Sequence, residues 1–134
     1  MNREELIQKA IEARGFAYAP YSNFSVGAAV LTSAGNIYTG CNIENAAYPA
    51  TCCAERIAIF SAIANGEQQF SAIAVAANTE KPVSPCGSCR QVMSEFFEPK
   101  TPVTMANLKG DAVTFSMSEL LPLSFGAKQL SEDQ

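Results

Sequence analysis

The 134-residue sequence contains no histidine and no tryptophan. Without histidine, any zinc site must be built from cysteine and carboxylate ligands. The chain has only nine lysine and arginine residues, scattered singly, against thirteen acidic residues, which gives a formal net charge of -4. No basic stripe is therefore available for a phosphate backbone, and a nucleic-acid polymer is not expected as a partner. A small molecule is the favoured ligand.

Long apolar runs are also missing. No window approaches the roughly eighteen consecutive apolar residues of a membrane span, and the start M-N-R-E-E-L is a charged helix start rather than a signal peptide. We therefore expect a soluble, cytoplasmic protein with no membrane partner. With 48% hydrophobic residues and no linker or internal repeat, residues 1–134 are expected to form a single domain.

Hydrophobic periodicity predicts the element order helix, hairpin, helix, strand, helix, hairpin, helix. The first helix covers 2–14, the second follows Cys53, the third follows Pro85, and the last is opened by a capping box of Ser116 and Glu119. A buried strand at 71–77 stands between two hairpins, 24–41 and 103–115. This order predicts an α/β fold, a three-layer sandwich with a five-stranded mixed sheet covered by helices.

Two smaller predictions come from the same pattern. The aromatic residues at core periods are expected to be buried, namely Phe60, Phe96, Phe97 and Phe115. The final S-E-D-Q is expected to be a frayed tail.

The five cysteines form an odd set, which favours metal binding or catalysis over a disulfide framework. Cys86 and Cys89 have the C-x-x-C spacing that lets two sulfur atoms reach one ion. Pro85 suits the first turn of a helix, and a helix N-terminus stabilises a thiolate. The second helix also begins beside a cysteine. Two converging helix N-termini could thus supply three sulfur ligands and leave a fourth position for water, as in catalytic zinc sites.

Periodicity alone leaves the third ligand open between Cys52 and Cys53. Residues three apart share a helix face, which pairs Cys52 with Glu55, but at a helix end the ion can be approached along the axis. Glu55 is the candidate acid/base group in either case, because a carboxylate next to a zinc-bound water can take its proton and pass it to a substrate.

C-A-E-R at 53–56, followed by P-C-G-S-C-R-Q at 85–91, resembles the zinc signature of the cytidine deaminases, in the short form that uses three cysteines and forms homotetramers. Further segments are similar to that family: A-P-Y-S, F-S-V-G-A-A, G-C-N-I-E-N-A-A-Y, and E-L-L-P with a following S-F. The resemblance covers roughly residues 2–126.

The resemblance implies one Zn²⁺ per chain, held by Cys53, Cys86 and Cys89, with Glu55 as the proton shuttle. Arg56 would offset the excess negative charge of the three thiolates. The substrate would be held by residues whose roles are also implied by the resemblance: Phe24 on the pyrimidine face, Asn42 and Glu44 on the ribose hydroxyls, the N–H of Ala54 towards the base O2, and Phe125 reaching a neighbouring subunit's site.

The implied activity is hydrolytic deamination of free cytidine and deoxycytidine to uridine and deoxyuridine plus ammonia, in pyrimidine salvage, by attack of zinc-bound hydroxide at C4. Two alternatives stay open. A deaminase acting on a cytosine-containing antibiotic would keep zinc and Glu55 but change the sugar-binding residues, and N-I-E-N-A-A-Y argues against it. A structural zinc domain would need four protein ligands, so that both Cys52 and Cys53 would have to bind.

Overall fold

The structure is a computed structural model that describes residues 2–131. Its helices are α1 (Arg3–Arg14), α2 (Ala54–Ala64), α3 (Gly87–Phe96), α4 (Met117–Leu120) and α5 (Ala127–Ser131), with a 3₁₀ turn at Tyr48–Ala50. Its strands are β1 (Val26–Thr32), β2 (Ile37–Cys41), β3 (Phe70–Ala77), β4 (Pro102–Asn107) and β5 (Ala112–Ser116). None of the helices between residues 2 and 131 is long and apolar enough to cross a membrane.

The strands form one five-stranded sheet in the order β2-β1-β3-β4-β5. Strands β3 and β4 are parallel and are connected through α3, whereas the other three neighbouring pairs are antiparallel. The predicted mixed sheet and both predicted hairpins are therefore confirmed. A parallel pair requires a crossover connection, and α3 provides it.

Alternate residues of the central strands point to opposite sides of the sheet, so both faces carry apolar side chains. Helices cover both faces. On one face α1 packs on small side chains that allow close approach: Ala29, Ala74, Ala76 and Ala106. On the other face α2 and α3 pack on larger ones: Val30, Ile73, Val75 and Val103. The predicted three-layer α/β sandwich is confirmed.

Capping explains where several helices begin. The Asn2 side chain accepts a 2.9 Å hydrogen bond from the backbone N–H of Glu5 at the start of α1. The predicted capping box of Ser116 and Glu119 opens α4. Helices α2 and α3 differ from these two, because their N-caps are Cys53 and Cys86, and neither side chain caps its helix. Both thiols are therefore available for other partners.

Four details differ from the sequence predictions. Pro85 precedes the N-cap of α3 instead of lying in its first turn, and α5 follows the helix that was expected to be the last. Phe60 and Phe115 are 45% and 41% exposed, so their prediction as core residues is wrong. Phe97 is buried, and Phe96 packs against the core. Of the predicted frayed tail, Ser131 ends α5 and the remaining three residues lie outside the described residues.

Candidate active site

The sheet topology gathers the candidate site residues at one edge. Val26 at the start of β1 pairs with Ala77 at the end of β3, and Gly27 pairs with Cys41 at the end of β2. The segments before β1, after β2 and after β3 therefore meet at the same place. Outside this edge lies a cavity of about 270 Å³, lined by residues that include Phe24, Asn42, Glu44, Cys53, Ala54, Glu55 and Cys86.

Helix α2 is brought to this edge by a close approach to β2. A Cβ atom at Gly40 would lie 2.5 Å from the carbonyl oxygen of Ala54 and 2.5 Å from the nitrogen of Ala58. Only glycine leaves space for the first turn of α2 at this distance. The start of α2, which carries Cys53 and Glu55, is thus set against the end of β2.

Three thiols converge where α2 and α3 begin. The Sγ atoms of Cys53, Cys86 and Cys89 all lie within 4.8 Å of one another. Cys53 Sγ is 3.8 Å from Cys86 Sγ, which is 3.4 Å from Cys89 Sγ. Tetrahedral zinc with Zn–S bonds of about 2.3 Å requires sulfur atoms about 3.8 Å apart. The three thiols therefore fit a zinc ion, and the predicted metal site is confirmed.

The structure settles the choice between Cys52 and Cys53. Cys52 is held outside α2 by two backbone hydrogen bonds of 2.9 Å with Ile43, and its thiol is not part of the three-sulfur group. Partial burial raises the pKa of the Cys52 thiol, which further disfavours the thiolate form that a metal requires. A zinc site with four cysteine ligands, as a purely structural zinc would need, is not formed by the described residues.

Arg56 supplies positive charge to the thiol group. Its Nη2 donates a 3.4 Å hydrogen bond to Cys53 Sγ, while its Nε is buried and has no hydrogen-bond partner among residues 2–131. Hydrogen bonds from Cys89 and Arg56 lower the pKa of Cys53 to about 5, and the bond to Cys53 raises the pKa of Arg56. The pKa of Cys89 is raised, because its thiol donates to Cys53 and is buried. A thiolate is thus already favoured at Cys53.

Glu55 lies in the first turn of α2 and is only 5% exposed. Glu55 lines the same cavity as Cys53 and Cys86. Burial raises the pKa of Glu55 to about 7. A carboxyl group with a pKa near neutrality can both accept and release a proton at physiological pH, which is what an acid/base catalyst needs.

Asn42 and Glu44 follow β2 and line the same cavity as the helix starts. The Asn42 carboxamide donates a 2.7 Å hydrogen bond to the carbonyl oxygen of Phe24 and accepts a 2.8 Å bond from the N–H of Val26. Glu44 accepts hydrogen bonds from the loop at residues 21–22, and the bond from the Ser22 hydroxyl lowers the pKa of its carboxyl group. Glu44 is thus held as a carboxylate.

The other three predicted substrate residues lie in different settings. Phe24 precedes β1 and is 39% exposed at the cavity wall, so it is not part of the core. Ala54 is fully buried at the first position of α2 and lines the cavity. Phe125 lies between α4 and α5, is 57% exposed and is not among the residues that line this cavity.

Comparison with known proteins gives consistent matches. The profile of the cytidine and deoxycytidylate deaminase zinc-binding region matches residues 1–105. A cytidine deaminase of Sporosarcina psychrophila is 53% identical over 131 residues, covering 98% of this chain and 96% of that protein. One of Halalkalibacterium halodurans is 50% identical over 132 residues, covering 98% and 100%. This chain belongs to the cytidine deaminase family.

The fold of this family member agrees with a solved structure. The crystal structure of the cytidine deaminase from Burkholderia pseudomallei superposes with a TM-score of 0.91 at 50% identity, covering 93% of this chain and 100% of that one. A blasticidin-S deaminase of Bacillus cereus is also similar, but at 33% identity over 129 residues, covering 90% of each chain. The antibiotic deaminase that the sequence left open is therefore the more distant relative.

Sequence reasoning gave no role to several residues of this deaminase site. Ser22, Val83 and Ser84 line the cavity. Ser22 lies within the A-P-Y-S motif, which was the available signal, whereas the loop at 78–85 has no such pattern. That loop is tied to the β4–β5 turn, because Asn107 Nδ2 donates a 3.0 Å hydrogen bond to the carbonyl oxygen of Glu80. This hydrogen bond anchors the loop at Glu80, six residues before the zinc ligand Cys86.

Proposed function

We propose that this protein hydrolyses free cytidine and deoxycytidine to uridine and deoxyuridine, with release of ammonia. One observation supports this above the others: Cys53 and Cys86 of the three-thiol zinc site line the same cavity as the buried Glu55. Asn42 and Glu44, which suit a sugar, line the same cavity. Metal, acid/base group and sugar-binding groups therefore face one small-molecule site.

Zinc bound by Cys53, Cys86 and Cys89 would act as a Lewis acid that activates water near neutral pH. Glu55 carries one proton of the attacking water to N3 of the base, and then carries the second, from the new hydroxyl on C4, to the amine, which leaves as ammonia. Its low exposure keeps the proton within the site. Arg56 and the N-termini of α2 and α3 offset the negative charge of the three thiolates.

The base and the sugar are held by different residues of the cavity. Phe24 packs against the pyrimidine ring, and the N–H of Ala54 at the start of α2 donates to the base O2. Asn42 and Glu44 bind the sugar hydroxyls, because a carboxamide both donates and accepts, whereas a carboxylate only accepts.

The active assembly is proposed to be a homotetramer of single-domain chains acting in cytoplasmic pyrimidine salvage. Phe125 is exposed and does not line the cavity of its own chain, which supports its contribution to the site of a neighbouring subunit. Assembly and activity would then be inseparable.

The proposal is tested by following the ultraviolet absorbance of cytidine mixed with the purified protein, before and after a strong chelator removes zinc. We expect conversion to uridine that disappears with the metal and returns when zinc is added back. Absence of conversion by protein that carries one zinc per chain would contradict the proposed substrate. Deoxycytidine and blasticidin S serve as parallel substrates, and turnover of the antibiotic alone would favour the rival deaminase.

A further inference from the structure

The carboxylate of Glu44 is already engaged by the loop that precedes β1. Its Oε1 accepts hydrogen bonds of 2.9 Å from the N–H of Tyr21 and 3.1 Å from the N–H of Ser22. Its Oε2 accepts a short hydrogen bond from the Ser22 hydroxyl. Three donors therefore orient this carboxylate, and all three belong to two adjacent residues.

These bonds limit what Glu44 can offer to a ligand. An ionised carboxylate has about four acceptor positions, two on each oxygen. The backbone N–H groups take both positions of Oε1, and the Ser22 hydroxyl takes one position of Oε2. One acceptor position remains, and its direction is fixed by the hydroxyl of Ser22.

The Ser22 hydroxyl also connects Glu44 to Phe24, the residue proposed to contact the base. Its Oγ accepts a 3.0 Å hydrogen bond from the N–H of Phe24 while it donates to Glu44. The carbonyl of the same Phe24 accepts from Asn42. The three proposed substrate contacts Phe24, Asn42 and Glu44 thus share one hydrogen-bond network, in which the Ser22 side chain links Glu44 to Phe24.

The backbone holds Ser22 in this position. The next residue, Asn23, has a φ of 57°, in the left-handed region that asparagine tolerates better than most residues. Its N–H donates a 3.0 Å hydrogen bond to the carbonyl oxygen of Ala19. The tight turn at residues 19–23 therefore aims the hydroxyl before any ligand binds, which reduces the entropy cost of binding.

We propose that Ser22 is a positioning residue that sets the sugar specificity of this site: its hydroxyl occupies one acceptor position of Glu44 and leaves a single, directed position for one sugar hydroxyl. The inference rests on the proposed function, because it takes a nucleoside as the ligand. A nucleoside without the 2′- and 3′-hydroxyls has no ring hydroxyl to donate to Glu44, and its binding should not depend on Ser22.

Kinetics of the full-length, zinc-loaded protein test this role with cytidine and 2′,3′-dideoxycytidine. Ser22→Ala should raise KM for cytidine about five- to tenfold, the effect of one lost hydrogen bond, with kcat changed less than KM. The KM for the dideoxy substrate should stay within about twofold, so discrimination between the two falls. Ser22→Thr retains the hydroxyl and should restore discrimination. Ser118→Ala, which removes an exposed hydroxyl bonded to Ser116, is the matched control.

Binding measurements separate this inference from the proposed activity. Calorimetric dissociation constants for uridine and 2′,3′-dideoxyuridine need no turnover. If the wild type discriminates between them and Ser22→Ala does not, Ser22 sets sugar specificity even when no deamination is detected. If Ser22→Ala weakens both nucleosides equally, or Ser22→Thr behaves like Ser22→Ala, the hydroxyl has only a structural role and the inference is overturned. Absence of discrimination by the wild type overturns it as well.

Discussion

Arg56 Nη2 lies 3.4 Å from the sulfur of Cys53, so the guanidinium of α2 contacts a zinc ligand that stands three residues earlier in the chain. Three thiolates around Zn²⁺ give a cluster with a formal charge of -1, which weakens the ability of the metal to activate water. The Arg56 guanidinium returns positive charge to that cluster. The buried Nε of Arg56 has no hydrogen-bond partner among residues 2–131, so no other described group competes for this nitrogen of the guanidinium.

Arg56→Gln should therefore lower activity and zinc retention together, each by roughly 10- to 100-fold, the usual cost of removing a group that supports metal ligands. Metal analysis after dialysis against a graded chelator measures the retention, and cytidine turnover measures the activity. Arg56→Lys is the matched control, because it keeps the charge without the planar fork and should give an intermediate loss. Unchanged turnover and metal content in Arg56→Gln would contradict the role.

Glu55→Ala should abolish most turnover without loss of zinc. The carboxyl group is the only proposed proton carrier of the site, and acid/base catalysis is commonly worth about 100- to 10,000-fold. Initial rates, one-to-one zinc content and far-ultraviolet circular dichroism measure the three properties. Glu95→Ala on the exposed side of α3 is the control and should behave as the wild type. A Glu55→Ala variant that keeps more than about a tenth of the wild-type rate would refute the proton shuttle.

The fold follows closely from the sequence, because its elements carry strong local signals. The capping box of Ser116 and Glu119, the apolar strand at 71–77 and the glycine after Arg14 all have their expected effects. The prediction that Phe60 and Phe115 are buried is wrong because hydrophobic spacing identifies the residues that share one face of a helix or strand, but not whether another element packs on that face. Helix α5 was missed because it is only five residues long and none of these residues is buried.

The candidate site was predictable where its residues lie close together in the sequence and form a recognisable motif. Cys86 and Cys89 follow from C-x-x-C, but periodicity could not choose between Cys52 and Cys53. The choice depends on a tertiary feature, the backbone pairing of Cys52 with Ile43, which holds Cys52 outside α2 and leaves Cys53 as the N-cap. The role of Ser22 likewise depends on contact with Glu44, which is 22 positions away in the chain.

Acid should selectively weaken a surface network that links the first hairpin to the loop after α2. Hydrogen bonds from Thr32, Tyr38 and Asn36 lower the pKa of Glu67. A group with a lowered folded pKa stabilises the native state above its unfolded pKa, about 4.3 for glutamate, and loses this contribution as the pH falls through the folded value. The contribution of Glu67 to stability should thus be present at neutral pH and absent in strong acid.

Urea unfolding of the wild type and of Glu67→Gln between pH 7 and pH 3 measures this effect. The midpoint of Glu67→Gln should lie below that of the wild type at pH 7, and the difference should shrink as the pH falls below about 5. Zinc loss in acid affects both proteins and cancels in the difference. Tyr38→Phe removes the 2.6 Å hydrogen bond to Glu67. In a Tyr38→Phe background, the midpoint difference caused by Glu67→Gln should therefore change less with pH. A midpoint difference that is constant with pH would contradict the role of the carboxylate.

Phe125→Ala should raise KM for cytidine in an intact oligomer by roughly two- to tenfold, the value of one aromatic packing contact. The ring is 57% exposed and lies outside the cavity of its own chain, while its backbone is fixed by a 2.8 Å hydrogen bond from Gln91 Nε2 to its carbonyl oxygen. Because the backbone contact does not depend on the side chain, alanine should keep the segment in place.

Analytical ultracentrifugation establishes the assembly state of each Phe125 variant before kinetics are measured. Phe16→Ala, which removes an 83% exposed ring elsewhere, is the matched control. A normal KM in an intact assembly would place Phe125 outside the site, whereas dissociation into inactive monomers would assign it to assembly rather than to substrate binding.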